Sequence, residues 1–68
     1  MGIRFSADEI YGIAGQVEHN AAAFYRAASV HARAPAVFKL FNELATWEES
    51  HERLFAEMRN ELSEEEKT

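Results

Sequence analysis

Residues 41–55 read FNELATWEESHERLF, and their apolar side chains recur at alternating intervals of three and four residues. The same alternation continues outward in both directions, so the full seam is Val37, Phe41, Leu44, Glu48, His51, Phe55, Met58 and Leu62. Such a repeat is typical of a helix that buries one face in a bundle. Six of the eight seam positions are large and apolar, and the two exceptions, Glu48 and His51, are both ionisable.

A second amphipathic helix is predicted upstream, where the same alternation links Ile10, Ala14, Val17, Ala21, Phe24 and Ala28. Ser6 and Glu9 form the sequence of a capping box, which starts a helix at the next residue. Pro35 suits the first turn of a later helix, because its missing N–H would have no partner there. The chain is therefore expected to form a single unit over 1–68, with helix 1 at about 7–30, a turn at 31–34, helix 2 at about 35–62 and a solvated acidic tail at 63–68.

The size of the chain favours association with a partner. A domain of 68 residues rarely obtains more than ~3–5 kcal/mol from its core, and the chain has no cysteine for a disulfide. Two helices joined by a short turn pack antiparallel, yet large apolar residues also lie outside the seam, namely Phe38, Leu40, Trp47 and Leu54. We expect an all-α hairpin that forms a homodimer, or a higher homo-oligomer, as a four-helix bundle.

The charge balance excludes two classes of partner. Seven Lys and Arg residues against twelve Asp and Glu give a net charge of −5, which disfavours nucleic acid and anionic lipid. No apolar run approaches the ~20 residues of a membrane span. Residues 1–5 carry no secretory apolar segment, so a cytoplasmic location is expected.

Glu18, Glu48 and His51 are expected to lie at one depth in the hairpin. Glu48 and His51 are three residues apart and project from the same side of helix 2. With the turn centred near Arg33, Glu18 lies fifteen residues before it and Glu48 fifteen after it. Both are then roughly 20 Å from the turn, at the rise of an α-helix.

A two-fold dimer doubles this set to four carboxylates and two imidazoles. Burying such groups without partners costs several kcal/mol per ion, so a bound metal is the simplest explanation. Oxygen-rich ligation with two imidazoles suits two Fe(II) or Mn(II) ions per dimer, whereas zinc favours fewer, tetrahedral ligands.

Several stretches of the chain resemble one helical pair of a rubrerythrin-type ferritin-like domain. They are Gln16-Val17-Glu18, residues 24–28 (FYRAA), residues 41–51 and Phe55, so that the resemblance extends from Ile10 to Met58. Ferritin-like carboxylate proteins take one Glu from each of two helices and a Glu-x-x-His from each of the other two. One copy of this chain carries half of that set.

The resemblance implies a role for each site residue. Glu18 matches a terminal or bridging ligand, Glu48 the bridging carboxylate, His51 the terminal nitrogen ligand, and Tyr25 a tyrosine beside the ligands. It also implies iron, with Mn or Zn as alternatives, and a ferroxidase or another oxidoreductase that reduces O2 or peroxide. The 68 residues hold one helical pair and no rubredoxin-like part, so they are most similar to half-length, encapsulated ferritin-like proteins. A protein shell is therefore one implied partner, although the acidic tail does not resemble a shell-targeting peptide.

Other readings of these residues stay open. A metal-binding module without turnover and a purely structural dimerisation hairpin both fit the pattern. Glu48 and His51 would then be a structural pair, and Tyr25 an ordinary core residue. Glu49 and Glu52 are expected on the solvated face. For Glu52 the alternative is an interaction with Arg26 or with a metal near the rim.

Overall fold

The computed structural model describes residues 4–66, and within them the chain is an antiparallel pair of helices without a strand. Helix α1 spans Ala7–Val30 and helix α2 spans Pro35–Asn60. The expected all-α hairpin is confirmed. Part of the segment 1–5, used above to infer location, and the last two residues of the tail lie outside the described residues.

The start of α1 is fixed by the predicted capping box. The Glu9 N–H donates to Ser6 Oγ at 3.1 Å, and the Ser6 N–H donates to Glu9 Oε1 at 3.1 Å. Two amides that have no partner within the helix are thereby satisfied. Asp8 and Glu9 also place negative charge in the first turn, where the helix dipole favours it.

The connection between the helices is short because each end is closed by backbone hydrogen bonds. The N–H of His31 donates to the carbonyl of Ala28 at 3.1 Å, which tightens the last turn of α1. Pro35 occupies the first turn of α2, and the N–H of Val37 donates to the Ala34 carbonyl at 3.0 Å. The reversal sets the two helices side by side.

The end of α2 differs from the expected one, because the helix stops at Asn60 rather than near Leu62. The Ser63 N–H donates to Glu66 Oε1 at 3.1 Å, so a side chain replaces the carbonyl that a continued helix would offer. In return the Glu66 N–H donates to Ser63 Oγ at 3.3 Å. The described part of the acidic tail is exposed, as expected, but it is organised as a turn.

The two helices pack through small residues and stacked rings. Ala22 and Ala45 are the buried apolar residues, with exposed fractions of 4% and 0%. Ring pairs close the contact on both sides of them: Tyr11 with Phe55 at 6.3 Å between centroids, and Tyr25 with Phe41 at 6.2 Å. Small residues let the helices approach at the middle, and the aromatic pairs pack across the interface toward its two ends.

One side of the hairpin, here called the polar face, carries three ion pairs between the helices. They are Asp8 with Arg59, His19 with Glu52, and Arg26 with Glu49. The Arg59 pair is bidentate, with Nε and Nη2 donating to the two Asp8 oxygens at 2.7 and 3.0 Å. Such fork-to-fork pairs are geometrically specific, so they fix how the helices are rotated against each other.

The opposite side, here called the apolar face, exposes large apolar side chains. Val17, Phe24 and Trp47 each lie two residues before a member of an ion pair, which is about 200° around the helix. Their side chains are 59%, 65% and 58% exposed. The complete apolar face consists of Ile10, Ile13, Val17, Phe24, Leu40, Trp47 and Leu54.

Candidate metal centre

Glu18, Glu48 and His51 meet at the middle of the hairpin. Each offers one ligand atom, and these atoms all lie within 4.8 Å of one another. All three residues are half-buried. Glu18 comes from α1 and the other two from successive turns of α2, so the hairpin brings together the three residues that the depth count pairs. In the part of the chain that the structure describes, this is the group of His and acidic residues with metal-ligand spacing.

One oxygen of Glu18 lacks a hydrogen-bond partner. Its Oε2 atom is buried, and His51 Nδ1 lies 3.5 Å from it, which is too long for a normal hydrogen bond. The Glu18 side chain is 20% exposed and that of His51 34%. A buried carboxylate oxygen without a partner is unfavourable, and a cation beside it would satisfy it.

The chemistry of the donors fits iron. Two carboxylate oxygens and one imidazole nitrogen are ligands that Fe(II) and Mn(II) accept readily. Three donors leave coordination positions free, and the absence of thiolate ligands disfavours a structural zinc site of the finger type. The residues present are therefore compatible with the metal that the sequence predicts.

The group borders the apolar face. The indole of Trp47 lies against the imidazole of His51, with the ring centroids 4.7 Å apart and the planes inclined by 58°. Because Trp47 belongs to the apolar face, His51 lies between that face and the carboxylate of Glu18. A partner that covered the apolar face would also cover the candidate centre.

Tyr25 has a different setting from these three residues. It is half-buried, its ring stacks on Phe41, and its edge contacts Phe24 at 5.7 Å between centroids. It lies two helical turns from Glu18 toward the connection. Its contacts are those of a core aromatic residue, and its role beside the ligands stays a prediction.

The sequence offered Arg26 only as an alternative partner of Glu52, and in the structure Arg26 pairs with the neighbouring Glu49 instead. Glu52 lies beside His19, with its Oε1 3.2 Å from the ring nitrogen Nδ1. The hydrogen bond from Arg26 lowers the pKa of the Glu49 carboxyl below its ordinary value and raises that of the guanidinium. The depth count that places Glu18 beside Glu48 also places the adjacent residues His19 and Glu49 at the same level of the hairpin. That shared level is the signal by which the sequence could have indicated charged contacts between the helices here.

The comparisons with known proteins agree with the architecture. No curated protein and no solved structure matches the sequence. The Rubrerythrin family model matches residues 9–68, which covers both helices and all three residues of the candidate centre. The chain belongs to the rubrerythrin family.

Proposed function

We propose that this chain is a di-iron carboxylate protein whose metal site is shared across a homodimer, and that it acts as a ferroxidase or as an oxidoreductase that reduces O2 or peroxide. The observation that carries the proposal is the group of Glu18, Glu48 and His51, with an unpartnered oxygen on Glu18. Family membership supports the choice of iron and of redox chemistry.

The accessible surface supports a dimer. The chain exposes 5378 Å², whereas a compact protein of 7.7 kDa would expose about 4,300 Å². Burying that excess on each of two chains removes about 2,000 Å², which is the size of a stable interface. The principal extents of 49 × 28 × 11 Å describe a layer one helix thick, so a second copy is the simplest cover for the apolar face.

Sharing the site completes the ligand set. A two-fold axis through the apolar face brings the second Glu18, Glu48 and His51 opposite the first. The dimer then offers four carboxylates and two imidazoles, the arrangement of ferritin-like carboxylate proteins. Two ions per dimer follow from this count.

The residues have separate tasks in this proposal. Glu18 and Glu48 would hold the ions as carboxylates and balance their charge, and His51 would bind through a neutral ring nitrogen. When bound, two Fe(II) ions would supply two electrons, which reduce O2 to hydrogen peroxide or hydrogen peroxide to two water molecules. The apolar side chains of both copies would exclude bulk water from the site. A role for Tyr25 in moving a proton, replacement of iron by Mn or Zn, a cytoplasmic location and delivery to a protein shell stay predictions.

The test is aerobic oxidation of added Fe(II), followed by ferric absorbance. The wild type is expected to oxidise Fe(II) far faster than buffer, and Glu48→Gln to fall to the buffer rate. Glu49→Gln is the matched control, since it changes the adjacent carboxylate on the polar face and should keep most of the activity. Fe(II) binding without faster oxidation would favour the metal-binding module, and neither binding nor oxidation would favour the structural hairpin.

A further inference from the structure

We infer that Trp47 is a positioning residue, which holds the imidazole of His51 in its ligand orientation and links that orientation to dimerisation. The inference rests on the proposed function. It concerns a residue that supplies no ligand atom and that lies on the surface of the single chain.

The contact between the two rings is local and well defined. Trp47 and His51 are four residues apart on α2, so their side chains stack along one face of the helix. The ring centroids are 4.7 Å apart. The two carboxylates of the candidate centre also lie near the His51 ring: Glu18 Oε2 is 3.5 Å from Nδ1, longer than a normal hydrogen bond, and an oxygen of Glu48 lies within 4.8 Å of the ligand nitrogen.

A histidine ligand needs a second contact to fix its ring. In most metal sites the other ring nitrogen donates to a carboxylate or a carbonyl, and losing that partner costs about 10–100-fold in metal affinity. Here the indole, whose plane is inclined by 58° to that of the imidazole, is close enough to restrict rotation of the imidazole. The indole also offers a favourable surface to an imidazole that becomes more positive when it binds a cation.

The indole is covered on one side only in a single chain, because 58% of Trp47 is exposed. Leu40 and Leu54 lie seven residues before and after it on the same stripe of α2, about 10 Å away along the helix, so a partner that packs on this stripe would also cover the indole. Dimerisation would then fix Trp47, and Trp47 would fix His51. By thermodynamic linkage, a metal ion at His51 must strengthen the dimer by the factor by which the dimer strengthens metal binding.

The test compares Trp47→Leu and Trp47→Phe with Leu54→Ala, which removes an apolar side chain one heptad away. Fe(II) affinity is measured by anaerobic calorimetry at chain concentrations where sedimentation shows each variant fully dimeric. We expect Trp47→Leu to weaken Fe(II) binding about tenfold. Trp47→Phe should recover most of that loss, and Leu54→Ala should bind as the wild type does once dimeric. Equal Fe(II) affinity in Trp47→Leu and the wild type would overturn the inference.

A measurement on the metal-free protein keeps the inference testable if Trp47→Leu does not dimerise. The ring protons of His51 should show a ring-current NMR shift in the wild type, caused by the indole, and this shift should persist in Leu54→Ala. An unshifted His51 in the wild type would also overturn the inference. Loss of Fe(II) binding in Glu48→Gln together with unchanged binding in Trp47→Leu would reject the role of Trp47 alone. Unchanged binding in Glu48→Gln would reject the proposed function itself.

Discussion

At the scale of single residues, the Oε2 atom of Glu18 is the least favourably placed polar atom among the described residues of the hairpin. It is buried without a hydrogen bond, whereas the carboxylates of the polar face, such as Glu49 and Asp8, are bound by arginines. Carboxylates on the two sides of the helix pair thus differ in hydrogen bonding: those of Glu49 and Asp8 on the polar face accept from arginines, and Oε2 of Glu18 accepts no hydrogen bond. A buried oxygen without a hydrogen bond, in a fold that pairs other carboxylates, is a feature expected of a binding site.

Replacing Glu18 by Gln should therefore have opposite effects without and with metal. In the metal-free protein, Glu18→Gln removes a buried charge and lets an amide donate to His51 Nδ1, so thermal stability should stay equal or rise. With Fe(II) at a hundredfold excess over Kd, the wild type should gain about 2.7 kcal/mol and the variant almost nothing. Anaerobic melting with and without Fe(II) measures both effects. Glu49→Gln serves as the control and should keep the metal-induced shift; an equal shift in Glu18→Gln would remove Glu18 from the ligand set.

The Arg26–Glu49 pair should give the protein a measurable acid dependence. In the folded state the hydrogen bond from Arg26 lowers the pKa of the Glu49 carboxyl from its ordinary value of 4.5. The pair therefore stabilises the fold above about pH 4.5. That contribution is lost as the pH falls through the lowered value, when the carboxylate is protonated in both states. Urea midpoints of the metal-free wild type and Glu49→Gln should consequently differ at pH 7 and converge as the pH falls below 4.5 and the Glu49 carboxylate becomes protonated. Glu43→Gln, which removes an exposed pair with Lys39 on the same helix, should show a smaller difference at pH 7.

At the scale of elements, two glycines in α1 have different surroundings. A Cβ on Gly12 would lie 2.9 Å from Arg59 Nη1 and 3.2 Å from its Cζ, whereas a Cβ on Gly15 would meet nothing within 4 Å. Gly12 thus makes room for the guanidinium that reaches Asp8 from the last turn of α2. Gly15 borders an open cavity of about 370 Å³ on the polar face.

Gly15→Ala should stabilise the hairpin, and Gly12→Ala should do so less or not at all. Alanine gains about 0.8–1 kcal/mol over glycine within a helix, which would raise Tm by about 4–8 °C. At Gly12 the new methyl group displaces the Arg59 guanidinium and offsets that gain. Thermal melting of the two variants tests the difference, and in an Arg59→Met background the two substitutions should become equal. Equal gains in the wild-type background would show that Arg59 moves aside without loss.

At the scale of the whole molecule, the two faces of the hairpin differ in polarity. The polar face joins the two helices by charged side chains, while the apolar face leaves seven large apolar residues exposed. Exposed apolar area of this extent marks an interaction surface. The candidate centre borders that surface, so assembly and chemistry are expected to depend on each other.

A charge on the apolar face should separate the two copies. Phe24→Glu places a carboxylate where the partner would bury it, and we expect dimer affinity to fall by at least about a hundredfold, because an unpaired buried charge costs several kcal/mol. Sedimentation equilibrium measures the change. Gln16→Glu adds the same charge to an exposed position of the same helix and should remain dimeric. A wild type that is monomeric and folded at micromolar concentration would contradict the dimer.

The parts of the structure that were readable from the sequence are those set by short-range rules. The Ser6 capping box involves neighbours on the chain, and the meeting of Glu18 with Glu48 and His51 follows from helical rise and a short turn. The partner of Arg26 was not predictable in this way, because Glu49 and Glu52 lie three residues apart and both are within reach of a long side chain. The rotation of α2, fixed by the Asp8–Arg59 pair, selects between them. The end of α2 lies two residues before the expected bound of about Leu62, where Ser63, read in the sequence as part of a solvated tail, forms a turn with Glu66.

The thinness of the hairpin has a consequence for how much working protein a cell holds. A single chain forms a layer 11 Å deep in which two alanines are the buried apolar residues, so its own core gives little stability. Folding and dimerisation would then proceed as one bimolecular event. At low abundance the yield of assembled protein would then rise with the square of the number of chains made. Below a threshold level of synthesis, most chains would remain unpaired and would be degraded by proteases. Above that level, the amount of dimer able to bind metal would rise steeply.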